Sequence, residues 1–167
     1  MDAAFACGWG TELGTNPDSV KSRTGYIVMI ANCPVIWVSK LQTTVATSTM
    51  ESEYTAMSMA LRAVIPLLAV IESVSGGLKY EKHKLLTFKA TVHEDNQGAL
   101  MLANLEDGRF TPRSKFYAIK LHWFRSWLQP KQIEVTFIGT LQQRADFLTK
   151  PLSPIPFQRN RSLSMGW

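Results

Sequence analysis

The succession of strands, helix, strand, helices, strand and helix predicts a mixed α/β domain, a mixed sheet with helices packed on it. Three observations carry that expectation. Two β-rich runs, Gly25–Ala31 (GYIVMIA) and Pro34–Ser39 (PVIWVS), flank a two-residue Asn32-Cys33 link suited to a hairpin. Apolar residues at 54, 57, 61, 64, 65 and 68 recur at helical spacing. Ile133–Ile138 (IEVTFI) alternates like a strand.

The elements follow in order. Residues 8–24 (GWGTELGTNPDSVKSRT) are rich in Gly, Ser, Thr, Asn and Pro and are expected to form a long loop. After the hairpin, Lys40–Thr47 is polar and Ser48 opens the long helix, which Pro66 is expected to kink or split. Gly76-Gly77 and a basic stretch to Lys84 close that segment. Leu85–His93 is the next expected strand, Gln97–Leu105 a short helix and Arg113–Leu128 a longer one. Gln142–Thr149 is expected as the last helix of a domain spanning 1–150. The tail, 151–167, holds three prolines and is expected to be irregular.

At 167 residues and 46% hydrophobic, one domain with a core of ordinary size is the simplest expectation. A net charge of +5 permits a nucleic-acid partner without requiring one. Cys7 and Cys33 lack the spacing of a zinc site or a disulfide framework, so reduced thiols in an intracellular protein are expected. No continuous apolar run reaches the ~18 residues of a membrane span, and the N-terminus lacks the basic start of a secretory signal.

Four acidic spots stand out. In STMESEYTAM, Glu51 and Glu53 lie two positions apart at the start of the long helix, so about 200° of rotation separates them. Ser48-x-x-Glu51 fits a capping box, which leaves Glu53 on the face of Ala56, Ala60 and Val64, where small residues permit close approach to a sheet. A carboxylate aimed inward needs a cation beside it. In VHEDNQGAL a strand ends in Glu94-Asp95 and a helix follows, with Asp95 or Asn96 as its N-cap. Asp146 sits in the expected last helix, where Asp has poor propensity, and Arg144 is two positions away and on another face. Asp2 is the fourth. Carboxylates converging at one sheet end repel unless a divalent cation neutralises them, and Mg²⁺ prefers hard oxygen ligands.

The blocks KSRTGYIVMIANCPVIWVSKLQTTVATSTMESEYTAM, HEDNQGALMLAN, TPRSKFYAIKLHWFR and ADFLTKPL, in this order, resemble the ribonuclease H domain of copia-type LTR-retrotransposon polyproteins. The resemblance runs from about Asp2 to the tail. It implies a ribonuclease-H-like fold with a mixed five-stranded sheet, and hydrolysis of the RNA strand of an RNA–DNA hybrid by two Mg²⁺ ions, with Mn²⁺ as a substitute. By position it implies Asp2, Glu53, Asp95 and Asp146 as catalytic metal ligands. It further implies a reverse transcriptase domain upstream in the same polyprotein, and a cytoplasmic particle or the nucleus as location. Two departures are Ala4, where the family usually has a second acid, and Phe116, where it often has His. The family's first strand also starts several residues earlier, so a shortened first strand is expected. A catalytically inactive module of the same fold, binding nucleic acid or protein, is the alternative.

Arg109, Arg113, Lys115, Lys120 and Arg125 gather around the expected helix at 113–128 with Trp123 and Trp127. Such a surface can hold phosphates by charge and counterion release, while the tryptophans, Trp123 above all, are expected in the core. His122 is expected to be a packing residue. Asn96 and Gln97 are candidates for the minor groove of a hybrid, where 2′-hydroxyls mark the RNA strand.

Overall fold

The computed structural model describes residues 1–8, 16–77, 88–105, 123, 128 and 133–167. Arg109, Arg113, Lys115, Phe116, Lys120, His122, Arg125 and Trp127 lie outside the described residues, as does all of the expected 113–128 helix save Trp123 and Leu128.

The sequence folds as a mixed α/β domain. Strands β1 (Asp2–Ala4), β2 (Arg23–Ile30) and β3 (Cys33–Leu41) form an antiparallel ladder in that order. Strands β4 (Ala90–Glu94) and β5 (Ile133–Phe137) pair in parallel. The helices are α1 (Thr49–Gly77), α2 (Gln97–Ala103), α3 (Asp146–Thr149) and α4 (Pro154–Met165), with 3₁₀ turns at Pro17–Val20 and Thr140–Gln142. Among the described residues five strands form two ladders, one of three antiparallel strands and one parallel pair, an arrangement flanked by helices and compatible with the expected ribonuclease-H-like fold. The ladders meet at Met1, whose nitrogen donates to His93 O at 3.1 Å while Gln143 Nε2 donates to the Met1 carbonyl at 2.5 Å. The start of β1 is thereby laid beside the end of β4.

One apolar core joins the two ladders. Tyr54, Met57, Leu61, Ile65 and Leu68 of α1 are buried with Ala3 and Tyr26 of the first ladder and Val92, Ile133 and Val135 of the second. Trp123 and Leu128 pack against this core, and Arg62 Cζ lies 5.3 Å from the centre of the Trp123 ring. The tryptophan is therefore a packing residue with a cation over its face. Within Thr49–Ser75 an 18-residue window reaches a mean hydropathy of 1.7, which by length and composition alone would suit a membrane span, although charged residues interrupt the apolar run as the sequence shows. The inward stripe of α1 packs on the sheet and α2.

Three expectations are corrected. Helix α1 runs unbroken through Pro66, which is exposed between the buried Ile65 and Leu68. Losing one backbone bond costs about 3 kcal/mol, less than two large side chains gain by burial. The tail is helical: Pro154 occupies the first turn of α4, where a missing N–H costs nothing, and Gly166 closes the helix at φ 82°. The hairpin link is Ala31-Asn32, since Ile30 pairs with Cys33.

Both link residues are left-handed, at φ 49° and 62°, which is the geometry that matches the twist of a two-residue hairpin. Alanine in that region costs about 1–2 kcal/mol. The double change Ala31→Asn with Asn32→Gly is therefore expected to stabilise the fold by roughly 1 kcal/mol. Chemical denaturation would measure it, and a loss of stability would mean the turn is not of this type.

A candidate metal centre of buried carboxylates

The start of α1 settles the roles of its two glutamates. Glu51 N donates to Ser48 Oγ at 3.2 Å, the forward arm of the expected capping box. The return arm reaches one residue further than the motif prescribes: Glu51 Oε2 accepts from Thr47 N at 2.7 Å and from Thr47 Oγ1 at 2.9 Å. Glu51 is thus committed to the helix end. Glu53 turns inward with Ala56 and Ala60, all three buried, against β1.

At the end of β4, Asn96 is the N-cap of α2, its Oδ1 accepting from Ala99 N at 3.0 Å. Asp95 is thereby released from a capping role. The Asn96 oxygen is already used, and Gln97 beside it is exposed. Asp146 stands in the first turn of α3 rather than inside a longer helix, so its poor interior propensity does not apply.

Asp2, Glu53 and Asp95 converge. One carboxylate oxygen from each lies within 4.8 Å of the others, with Asp2 and Glu53 buried and Asp95 half-buried. Asp146 adjoins this group and is not one of the three: Lys150 Nζ lies 3.0 Å from its Oδ1. Glu53 is only 4% exposed, and its Oε2 has no hydrogen-bond partner. Burial, reinforced by the carboxylates of Glu94, Asp2 and Asp95, pushes the Glu53 carboxyl up to about 10, against a weaker pull from the Ala3 backbone. Burial and Asp2 also raise Asp146, which Lys150 partly offsets. For Lys150, burial acts downward, but Asp2, Asp146 and Asp95 outweigh it and the net shift is upward.

Sequence reasoning passed over three residues here. Glu94 is fully buried, accepts from Asn96 N at 2.9 Å, and is raised to about 7, chiefly by burial. The signal was the alternation of β4, in which Val92 and Glu94 share the buried side. Lys150 lies four residues after Asp146, the spacing of a helical ion pair. Thr149, also in that turn, donates its hydroxyl to Asp2 Oδ2. A cavity of about 550 Å³ between β2, α1 and β4 is separate from this chemistry, since no carboxylate lines it.

Three hard oxygen donors at one point, one of them buried with an unsatisfied oxygen, fit a divalent cation of the Mg²⁺ or Mn²⁺ type. Without a bound metal ion, burial and the neighbouring carboxylates favour the protonated form of Glu53.

The fold and site together define a mixed α/β domain with a carboxylate cluster, compatible with a ribonuclease-H-like architecture. The comparisons with known proteins point to transposon polyproteins. Over 152 residues the chain is 33% identical to the retrovirus-related Pol polyprotein from transposon RE2 of Arabidopsis thaliana. It is 30% identical over 146 residues to that of transposon TNT 1-94 of Nicotiana tabacum, and 32% over 141 residues to that of RE1 of Arabidopsis thaliana. These matches take in 89%, 87% and 84% of this chain but 10%, 10% and 9% of the polyproteins. The chain is homologous to a segment of transposon Pol polyproteins and spans about a tenth of their length. No family model and no solved structure matches it.

Proposed function

We propose that this chain is a ribonuclease H domain of a copia-type retrotransposon polyprotein, hydrolysing the RNA strand of RNA–DNA hybrids with two divalent ions. The observation that carries the reading is Glu53: a buried carboxylate with an unpartnered oxygen, set against Asp2 and Asp95 at the meeting of the two ladders. Its similarity to transposon Pol polyproteins supports the same reading, because copying RNA into DNA leaves a hybrid whose RNA strand must be removed. The other domains of such a polyprotein are the expected neighbours.

Asp2, Glu53 and Asp95 would hold one ion, and Asp146 would join a second after exchanging its ion pair with Lys150. Bound Mg²⁺ or Mn²⁺ supplies an activated water and charge neutralisation at the scissile phosphate. The chain's own residues do the placing. Met1 fixes β1 beside β4, the small residues Ala56 and Ala60 let α1 approach the sheet, and the Asn96 cap frees Asp95 to face inward.

The test is cleavage of a labelled RNA–DNA hybrid with Mg²⁺ or Mn²⁺ by residues 1–167 and by Asp95→Asn. Cleavage by the wild type that vanishes in the variant is the expected result. A folded wild type that leaves the hybrid intact in both metals would favour the non-catalytic binding module.

A further inference from the structure

A cross-strand row and a helical turn lie against each other beside the carboxylates. Asp2 of β1 pairs with Gly25 of β2, and Gly25 pairs with Ser39 of β3. Successive residues of α3 meet this row. Ser39 Oγ donates to Leu148 O at 2.5 Å, Thr149 sits over Gly25, and Thr149 Oγ1 donates to Asp2 Oδ2. The Thr149 hydroxyl also lies 3.1 Å from Asp146 O. It has one proton, and the carboxylate, as the charged acceptor, takes it in preference to the carbonyl.

Gly25 is what permits this approach. A Cβ there would stand 2.6 Å from Thr149 Cγ2, 2.9 Å from Leu148 Cβ and 3.2 Å from Ala145 O. Two of these are closer than side chains tolerate, so any larger residue would lift the turn from the sheet. Thr149 and Asp2 are both buried, so this hydrogen bond lies inside the protein.

We propose that Thr149 is a positioning residue for the metal centre: through its hydroxyl it fixes the Asp2 carboxylate toward the point shared with Glu53 and Asp95, from a turn that Gly25 allows to seat. This role rests on the reading of the site as a metal centre. Thr149 belongs to a second element, so its hydroxyl constrains the Asp2 carboxylate independently of the β1 backbone, as outer hydrogen bonds do for metal-ligating carboxylates generally.

The experiment is Mn²⁺ binding by calorimetry to the wild type, Thr149→Val, Thr149→Ser and Gly25→Ala, with melting temperatures in metal-free buffer. Valine keeps the shape and removes the donor, whereas serine keeps the donor and removes the methyl. Thr149→Val is expected to bind Mn²⁺ roughly 10- to 100-fold more weakly, the usual loss for an outer-shell partner. Thr149→Ser is expected within about 3-fold of wild type, and Gly25→Ala is expected to weaken binding as valine does. Equal binding by Thr149→Val and wild type would overturn the role. So would a serine variant as weak as the valine one, because packing rather than the hydroxyl would then be responsible. A folded wild type with no saturable Mn²⁺ binding would remove the metal centre itself, and this role with it.

Discussion

Replacing Glu53 with Gln is expected to raise the stability of the metal-free protein while abolishing divalent binding and hybrid cleavage. The folded carboxyl is raised to about 10 from an ordinary 4.5, so the folded state binds the extra proton across that window. Stability from this group is therefore fully present below about pH 4.5 and falls as pH rises toward 10. At about 1.4 kcal/mol per pH unit, the cost at neutral pH is on the order of 3 kcal/mol. Glutamine mimics the protonated form at every pH and removes that cost. The expected result is a metal-free melting temperature higher by roughly 5–10 °C at pH 7, with a flatter dependence between pH 5 and 8. Mn²⁺ should stabilise the wild type by mass action and leave the variant unchanged. A glutamine variant less stable than the wild type at pH 7 without metal would mean that Glu53 is satisfied in a way the site does not contain.

Leu61→Ala is expected to give the largest loss of stability. Leu61 is fully buried on the face of α1 that carries Glu53 two turns earlier, among Tyr54, Met57 and Ile65. Removing a fully buried leucine side chain loses its transfer energy and leaves a cavity, together about 3–5 kcal/mol. For a chain of this size that lowers the melting temperature by roughly 6–15 °C. Urea denaturation at constant m-value would measure it, and a cost under about 1 kcal/mol would contradict the close packing of α1 on the sheet. The same stripe holds Glu53 against β1, so the energy of the core is also what keeps the carboxylate inside.

Much of the fold was legible because it follows from period and punctuation. The alternation of Ile133–Phe137, the helical spacing of Tyr54 to Leu68 and the Ser48–Glu51 signature are local facts, and each produced its element. The separation of Glu51 from Glu53 was legible too, from rotation per residue alone. Less legible were features where one local signal concealed another. Three prolines suggested an irregular tail, yet two of them fall in the first turn of α4, where proline is tolerated. The hairpin link shifted by one residue because strand pairing holds Ala31 in a conformation its own preferences oppose.

The sequence by itself determined which residues are acidic, which faces are apolar and where α1 begins, since these depend on neighbours within a turn or two. Only the tertiary structure decided which carboxylates meet. Asp2, Glu53 and Asp95 share a point because Met1 joins two ladders and two alanines let a helix approach closely, while Asp146 is held at the edge by Lys150. Electrostatic cost depends on distance and burial, and neither exists until segments tens of residues apart are packed together. The Thr149–Asp2 hydrogen bond spans 147 positions in the chain, and it forms only because Gly25 leaves room for it.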